Sequence, residues 1–392
     1  MTEAIHPIQL GVGGIEIHGR AARLNAVHDS GVEYLHSLGL DPYVVTSRHG
    51  GPGGQAVRFR LSEAFAHDWT PQCDTTQLCR KLGLDTLNKP DDLDREILLS
   101  MLLGPVAFSY PNVDELESAV RIRRNIAQNA RKTVLAFDTE EAERPAGYWR
   151  YSEATGFVVM PGKSLATAIE LATQPGPDDT LYSFSCYRAT EHVVLLGLAQ
   201  ELARCNPKLL AQLQRQWETR AMVSVPFQDA FLKEYGTLNE PLPLRYYVPG
   251  DRVWFRNPDE PSTNAEGYEG SWVIYMGNGL FSNFWKRDQP FTLATKCVEL
   301  YHWRNATYMG KNGKLLVDEE VVDERVRLSL ANPDEVGFIL RQMMRLREPA
   351  GVYVNGGCID ATREYVRCVR PGTAEIYLPD GTDGTDGTEA KK

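Results

Sequence analysis

The chain has 392 residues, of which 42% are hydrophobic and 24% charged, a composition typical of a globular protein with one large domain or a main domain and an appendage. Lys and Arg number 42 against 52 Asp and Glu, and the resulting net charge of −10 argues against a nucleic-acid partner. No run approaches the roughly 18 apolar residues that a membrane helix needs, and the first residues lack a signal-peptide pattern.

Residues 1–100 differ in composition from the rest of the chain, because they hold six of the eight histidines and are rich in glycine. We interpret them as an added N-terminal region of unknown role. Hydrophobic periodicity predicts a helix over Ala21 to Leu38, a strand over Tyr43 to Thr46, and a helix that begins at Asp91 or Asp92.

From about residue 105 the periodicity is clearer. The stretch from Asn112 to Val134 predicts a long amphipathic helix. A polar loop over 138–147 follows. Two short strands, 148–152 and 156–160, and a helix over 163–173 are predicted next.

The segment from Tyr187 to Arg204 is apolar on all sides, so we predict a buried central helix there. Beyond it, β-type patterns predict strands over 244–248, 251–256, 271–276 and 279–285. The expected fold class is α+β, with an antiparallel sheet packed on the buried helix in a domain spanning 105–375. The repetitive polar tail, 379–392, is expected to be disordered.

The seven cysteines are scattered, with no C-x-x-C pair and no zinc-module spacing; they are Cys73, Cys79, Cys186, Cys205, Cys297, Cys358 and Cys368. An odd, unpatterned set is typical of a reducing compartment, so we predict a cytoplasmic protein with free thiols.

Cys186 stands out among them because it lies at the start of the predicted buried helix, with Ser183 or Ser185 available as the N-cap. The positive end of a helix dipole and its unpaired N–H groups stabilise a thiolate, and such a setting can lower a thiol pKa to between about 3.5 and 7.5 when a further partner helps. A catalytic thiol and a buried structural cysteine both fit this position.

Five blocks of sequence, in order, resemble the bacterial protein-glutamine gamma-glutamyltransferases, the transglutaminases of spore coats. The blocks are Phe108 to Thr133, Tyr148 to Ser152, Tyr182 to Val194, Pro249 to Asp259 (PGDRVWFRNPD) and Glu269 to Phe281. Together they span roughly residues 105–310.

The resemblance implies a papain-like, transglutaminase-like core with Cys186 at the position of the family's nucleophile. It implies a thioester with a protein glutamine, resolved by a lysine, a small amine or water. The expected partners are therefore protein or peptide substrates. No cofactor and no calcium or other metal is expected, and the oligomeric state stays open.

Three positions depart from the family pattern. Ser185 precedes the cysteine where the family has an acidic residue, Ser271 stands where a second glutamate belongs, and Phe284 aligns with a histidine. Glu269 would share a strand face with Ser271 and could supply a carboxylate. His302 is the other candidate base in the matched region.

Three functions follow as hypotheses. The first is a cysteine acyltransferase acting on glutamine carboxamides by cross-linking, amine incorporation or deamidation. The second is a degenerate, noncatalytic relative that keeps the fold for binding, motivated by the three departures. The third is a thiol-dependent amide-forming or hydrolytic enzyme of a biosynthetic pathway.

Overall fold

The computed structural model describes residues 13–51, 54–137, 142–348 and 356–378. The predicted disordered tail, 379–392, and the start of the polar loop, 138–141, lie outside this range. Within it the fold mixes helices and sheets, as the sequence predicts. No helix among the described residues combines the length and apolar character needed to cross a membrane.

The α-helices are, in chain order, α1 (Leu24–Ser37), α2 (Glu63–Trp69), α3 (Leu78–Leu82), α4 (Pro90–Leu103), α5 (Val113–Lys132), α6 (Leu165–Thr173), α7 (Cys186–Cys205), α8 (Pro207–Thr219), α9 (Val225–Phe231), α10 (Leu293–His302), α11 (Glu319–Leu330) and α12 (Pro333–Met343). The helices predicted over Ala21 to Leu38, Asn112 to Val134, 163–173 and Tyr187 to Arg204 are thus confirmed. The helix predicted from Asp91 or Asp92 begins at Pro90, since proline suits the first helical turn.

The strands are β1 (Gly14–Gly19), β2 (Val44–Gly51), β3 (Gly54–Leu61), β4 (Ala107–Tyr110), β5 (Ala136–Phe137), β6 (Trp149–Ser152), β7 (Gly156–Val159), β8 (Ser183–Phe184), β9 (Leu232–Tyr235), β10 (Arg252–Arg256), β11 (Gly270–Gly277), β12 (Leu280–Phe281), β13 (Phe291–Thr292), β14 (Thr307–Met309), β15 (Leu315–Val317) and β16 (Arg363–Val366). The strand predicted over 279–285 is real but shorter, ending at Phe281.

Two sheets organise the molecule. Near the N-terminus, four strands lie in the order β2-β3-β1-β4. The second sheet has six strands in the order β13-β12-β11-β10-β16-β9, and each neighbouring pair is antiparallel. Strand β4 lies after residue 105, yet it pairs with β1. The first sheet therefore contains residues from both sides of the domain boundary predicted near residues 100–105.

Helix α7 is the buried centre of the structure. Every residue from Ala189 to Ala199 is buried, and the helix contacts α5, α6, α8 and β11. Gly197 allows the close approach of α5, because a Cβ there would lie 2.6 Å from Ile126 Cγ1 and 3.0 Å from Ile126 N. The all-round apolar character of the segment is therefore explained by neighbours on several sides.

The strand predicted over 244–248 is wrong, because the structure has turns there. A distant side chain satisfies the backbone instead: Thr75 Oγ1 accepts from Tyr247 N–H at 2.8 Å and donates to the Tyr247 carbonyl at 2.6 Å. Val248 N–H donates to Asp251 Oδ2 at 2.8 Å. With these partners, the segment needs no neighbouring strand.

Substituting Gly197→Ala tests the α5–α7 contact. We expect a loss of about 1–3 kcal/mol in the free energy of unfolding, because the added methyl group overlaps Ile126. Urea unfolding followed by circular dichroism measures the change. The matched control is Gly147→Ala, which is exposed and has no atom within 4 Å of the added Cβ, and which should change stability by less than about 0.5 kcal/mol. Equal stabilities for the two variants would contradict this packing.

Candidate active site

Cys186 is the first residue of α7, and the local chain geometry fixes its place. Strand β8 pairs in parallel with β5 and delivers the chain to Ser185, which is extended (φ −79°, ψ 157°). Ser185 Oγ accepts a hydrogen bond from Arg188 N–H at 3.4 Å, so Ser185 is the N-cap. Of the two serines that the sequence offers for this role, Ser183 instead belongs to β8.

The sulfur of Cys186 is surrounded by hydrogen-bond donors and by two cations. Backbone N–H groups of Trp272 and Tyr187 donate to it, and the side chains of Lys296 and Arg252 add positive charge. All four favour the thiolate. Cys186 as a whole residue is half-buried.

Burial nevertheless has the larger effect, and it raises the pKa of the Cys186 thiol above its ordinary value. Burial therefore acts against the lowering of the thiol pKa that a helix start with a further partner can give. Removing water from an anionic sulfur destabilises it by more free energy than the hydrogen-bond donors and the cations stabilise it.

Arg252 connects the start of α7 with the six-stranded sheet. Its guanidinium carbon lies 3.8 Å from the centre of the Trp272 ring and 4.5 Å from that of the Tyr187 ring. Its Nε donates to Thr190 Oγ1 at 2.8 Å, and its Nη1 donates to Glu364 Oε2 at 2.5 Å. The side chain is 1% exposed, so these contacts replace its hydration.

Lys296 approaches the site from α10. It is buried at 3% exposure, and its Nζ donates to Glu299 Oε2 at 2.5 Å. The ammonium also lies 4.2 Å from the centre of the Phe291 ring. An ion pair and a cation–π contact thus hold a buried positive charge near Cys186.

A cavity of about 630 Å³ adjoins these residues. Arg252, Trp254 and Trp272 line one side, and their two indoles are stacked with centres 6.0 Å apart and planes 19° apart. Arg363 and Glu364 of β16 line it as well. The Trp272 backbone contacts the Cys186 sulfur and the Trp272 ring lines the cavity, although Cys186 is not itself one of the lining residues.

The two predicted acid–base residues lie apart from the sulfur. Glu269 is exposed just before β11, where its carbonyl accepts from Asn257 N–H at 3.0 Å. His302 is buried at the end of α10, and both of its ring nitrogens have partners, Ser329 Oγ at 2.7 Å and Asn305 Nδ2 at 2.9 Å. Among the contacts of the described residues, none joins either side chain to Cys186.

Two positions at which the family resemblance led us to expect acid–base residues, 271 and 284, hold a serine and a phenylalanine. Ser271 is 7% exposed in β11, next to Trp272. Phe284 is 2% exposed and belongs to the hydrophobic core around α7. The thiol therefore lies beside donors and cations, while these two positions supply neither a carboxylate nor an imidazole.

Sequence reasoning identified Cys186 but missed Arg252, Trp272 and Lys296. A signal was present for Arg252 alone, because the block PGDRVWFRNPD places this arginine inside an otherwise apolar strand pattern. A charged residue in such a strand needs a buried partner or a function. The sequence gives no such signal for Lys296, because its position near Cys186 depends on how α10 packs.

Over the described ranges, no group of three or more His, Cys, Asp or Glu side chains is placed to hold a metal ion. The structure thus offers no candidate ligand set there for a metal.

Three comparisons with known proteins each found a similarity. A curated protein-glutamine gamma-glutamyltransferase from Halalkalibacterium halodurans is 26% identical over 212 residues, which cover 52% of this chain and 67% of the relative. The solved transglutaminase from Geobacillus stearothermophilus, without its C-terminal extension, is similar at 19% identity and a TM-score of 0.38, covering 55% of this chain and 98% of the other. The family model described as protein-glutamine gamma-glutamyltransferase matches residues 73–378, well over half of the chain. The chain therefore belongs to the protein-glutamine gamma-glutamyltransferase family of transferases.

Proposed function

We propose that Cys186 is the nucleophile of a cysteine acyltransferase that acts on glutamine carboxamides of proteins or peptides. The observation that carries the proposal is the position of the sulfur at the N-terminus of α7, within reach of two backbone N–H donors and beside Arg252 and Lys296. These groups stabilise the anionic sulfur that attack on a carboxamide requires. The proposed setting is the cytoplasm, where thiols stay reduced.

The proposed reaction has two steps. The sulfur attacks the carboxamide carbon, the C–N bond breaks, and the thiol proton leaves with the nitrogen as ammonia. A lysine amine, a small amine or water then attacks the thioester carbonyl and releases Cys186. Unpaired N–H groups of the first turn of α7 can stabilise the oxyanion that forms in each step.

We further propose that α7 and the six-stranded sheet form the papain-like core that the family resemblance implies. The supporting observation is that α7 packs on β11 and that Arg252 of β10 holds the first turn of the helix. Glu269 and His302 stay predicted acid–base residues; a role for Glu269 requires movement toward the sulfur, because its side chain is exposed.

A degenerate, noncatalytic relative is the second candidate, and one observation favours it. Burial raises the pKa of Cys186, while Ser271 and Phe284 provide no base to take its proton. General acid–base assistance typically contributes about 10²- to 10⁴-fold to the rate, so the active form of this chain is expected to be slow.

Replacing Cys186 is the direct test of the nucleophile. We expect Cys186→Ala to abolish incorporation of a labelled primary amine into a glutamine-rich acceptor protein, because the thioester can no longer form. Cys205→Ala is the matched control, since Cys205 is the half-buried thiol at the other end of α7. Incorporation that survives in Cys186→Ala would contradict the proposal, and absence of incorporation in the unmodified chain favours the noncatalytic candidate.

The raised pKa of Cys186 predicts an alkaline reactivity profile. Only the thiolate is alkylated, so the rate rises as pH rises through the thiol pKa and is low below it. We expect iodoacetamide to label Cys186 with an inflection at higher pH than N-acetylcysteine, measured on the Cys186 peptide by mass spectrometry. Labelling faster than N-acetylcysteine at pH 6 would show that burial does not dominate.

Restoring a carboxylate at Ser271 tests whether the missing base limits the rate. We expect Ser271→Glu to raise the rate of amine incorporation by about 10²-fold or more, because this residue adjoins Trp272, whose N–H contacts the sulfur. Ser271→Gln has a similar shape without the base and should give no gain. Equal rates for the two variants would show that position 271 does not serve the thiol.

A further inference from the structure

Two buried cysteines, Cys297 and Cys358, lie in contact although 61 residues separate them in the chain. Their sulfurs are 3.6 Å apart, and both residues are 0% exposed. Both are free thiols, and theirs is the one sulfur–sulfur contact among the hydrogen bonds of the described residues. Neither cysteine takes part in the reaction proposed at Cys186, so the proposed function leaves this pair unexplained.

Local structure keeps the two sulfurs together. Cys297 lies in the middle of α10, where helical hydrogen bonds hold its backbone. Cys358 is held from both sides, since its N–H donates to the Met343 carbonyl at 2.9 Å and its carbonyl accepts from Arg256 N–H at 2.8 Å. The contact between the sulfurs is therefore built by the fold.

A covalent bond between the two sulfurs needs only a small movement. A disulfide joins its sulfurs at about 2.05 Å, so the two atoms must approach one another by about 1.5 Å. Rotations about the two Cα–Cβ bonds move the sulfurs by distances of this order, because each sulfur lies off the axis of its bond. The pair is therefore close enough to be joined within the folded chain.

Burial decides which oxidant can act on the pair. Neither thiol has exposed surface, so a bulky oxidant such as a glutathione disulfide cannot reach either sulfur. Hydrogen peroxide is small and uncharged, and local openings of the fold admit it more readily. Burial also raises the pKa of the Cys358 thiol, an effect that the charge of Lys296 opposes. Because the thiolate is the reactive form, oxidation is expected to be slower than at an exposed thiol.

We propose that Cys297 and Cys358 are an oxidation site, at which hydrogen peroxide converts the two thiols to a disulfide. The contact between the sulfurs carries this inference. A sulfenic acid that forms on either sulfur meets the other thiol at contact distance and condenses with it. The inference does not depend on the proposed function.

The reaction consumes one peroxide for each pair of thiols. The first sulfur attacks a peroxide oxygen as a thiolate, the O–O bond breaks, and a sulfenic acid forms. The departing hydroxide takes up the proton of the first thiol and becomes water. The second sulfur then attacks the sulfenic sulfur, the S–O bond breaks, and a second water leaves with the second thiol proton. The two sulfurs lose two electrons in total, and the peroxide gains them.

The disulfide would join two elements that serve the candidate active site. On one side, α10 carries Lys296 directly before Cys297. On the other side, the Cys358 carbonyl bonds to β10, the strand that carries Arg252. Oxidation therefore adds a covalent constraint between the two elements that bring positive charge to Cys186.

Peptide mapping tests the inference on the folded, full chain carrying Cys186→Ala, which removes the half-buried thiol of the site. The protein is treated with hydrogen peroxide, the reaction is stopped with catalase, and the remaining thiols are alkylated in denaturant before digestion with trypsin. Cleavage after Lys and Arg places the two cysteines in separate peptides, 297–304 and 348–363. We expect mass spectrometry to show these peptides linked, with a mass two hydrogens below their sum, until dithiothreitol reduces the link. The linked pair should be about tenfold or more abundant than any other cysteine pair, because contact raises the effective concentration of the second thiol.

Two controls locate the reaction. Cys358→Ala should remove the link, whereas Cys79→Ala, at another buried cysteine, should leave it in place. The same treatment of the chain unfolded in urea should give a mixture of cysteine pairs, because the contact depends on the fold. Oxidation of the half-buried Cys205 shows that the peroxide has acted on the protein.

Three results would overturn the inference. They are the absence of the linked peptide in folded protein whose Cys205 is oxidised, sulfinic acid at Cys297 or Cys358 in place of the link, and an equal share of the link in the unfolded chain. The proposed function is judged separately by amine incorporation in the chain with Cys186 intact, so failure of one proposal leaves the other standing.

Discussion

The rest of the site depends on the contacts that the buried guanidinium of Arg252 makes. It joins Thr190 of α7 to Glu364 of β16, and its faces pack on Tyr187 and Trp272. A charge taken out of water is costly unless it is paired and hydrogen-bonded, so the surrounding elements must keep these distances. Because the same residue acts on Cys186 and lines the cavity, the position of the thiol and the shape of the cavity are set together.

The same burial explains the chemistry of the thiol. Trp272 N–H, Lys296 and Arg252 all favour the thiolate, yet the loss of water raises the pKa of Cys186. At the exposed start of an isolated helix the cysteine pKa shifts in the opposite direction, downward, because the N–H groups face solvent and the cysteine keeps its hydration.

Local signals account for the elements that the sequence predicts well. Helices α5 and α7 have long, regular patterns, and Asn112 and Ser185 cap them as N-caps should. The segment 244–248 has an equally plausible strand pattern, but the strand prediction is wrong. Thr75, about 170 residues earlier in the chain, forms the backbone hydrogen bonds of Tyr247 that a neighbouring strand would otherwise provide. Hydrogen bonds over such separations leave no periodicity in the sequence.

The sequence by itself determined the mixed helix and sheet fold and the buried helix, and it singled out Cys186 among seven cysteines as the predicted nucleophile. Each of these follows from residues close together in the chain: an apolar run, an N-cap and the thiol next to it. Only the tertiary structure decided what surrounds the sulfur, since Arg252, Trp272 and Lys296 come from two strands and a helix far along the chain. The direction of the thiol pKa shift depends on that burial and on those charges, and neither is a property of the local sequence.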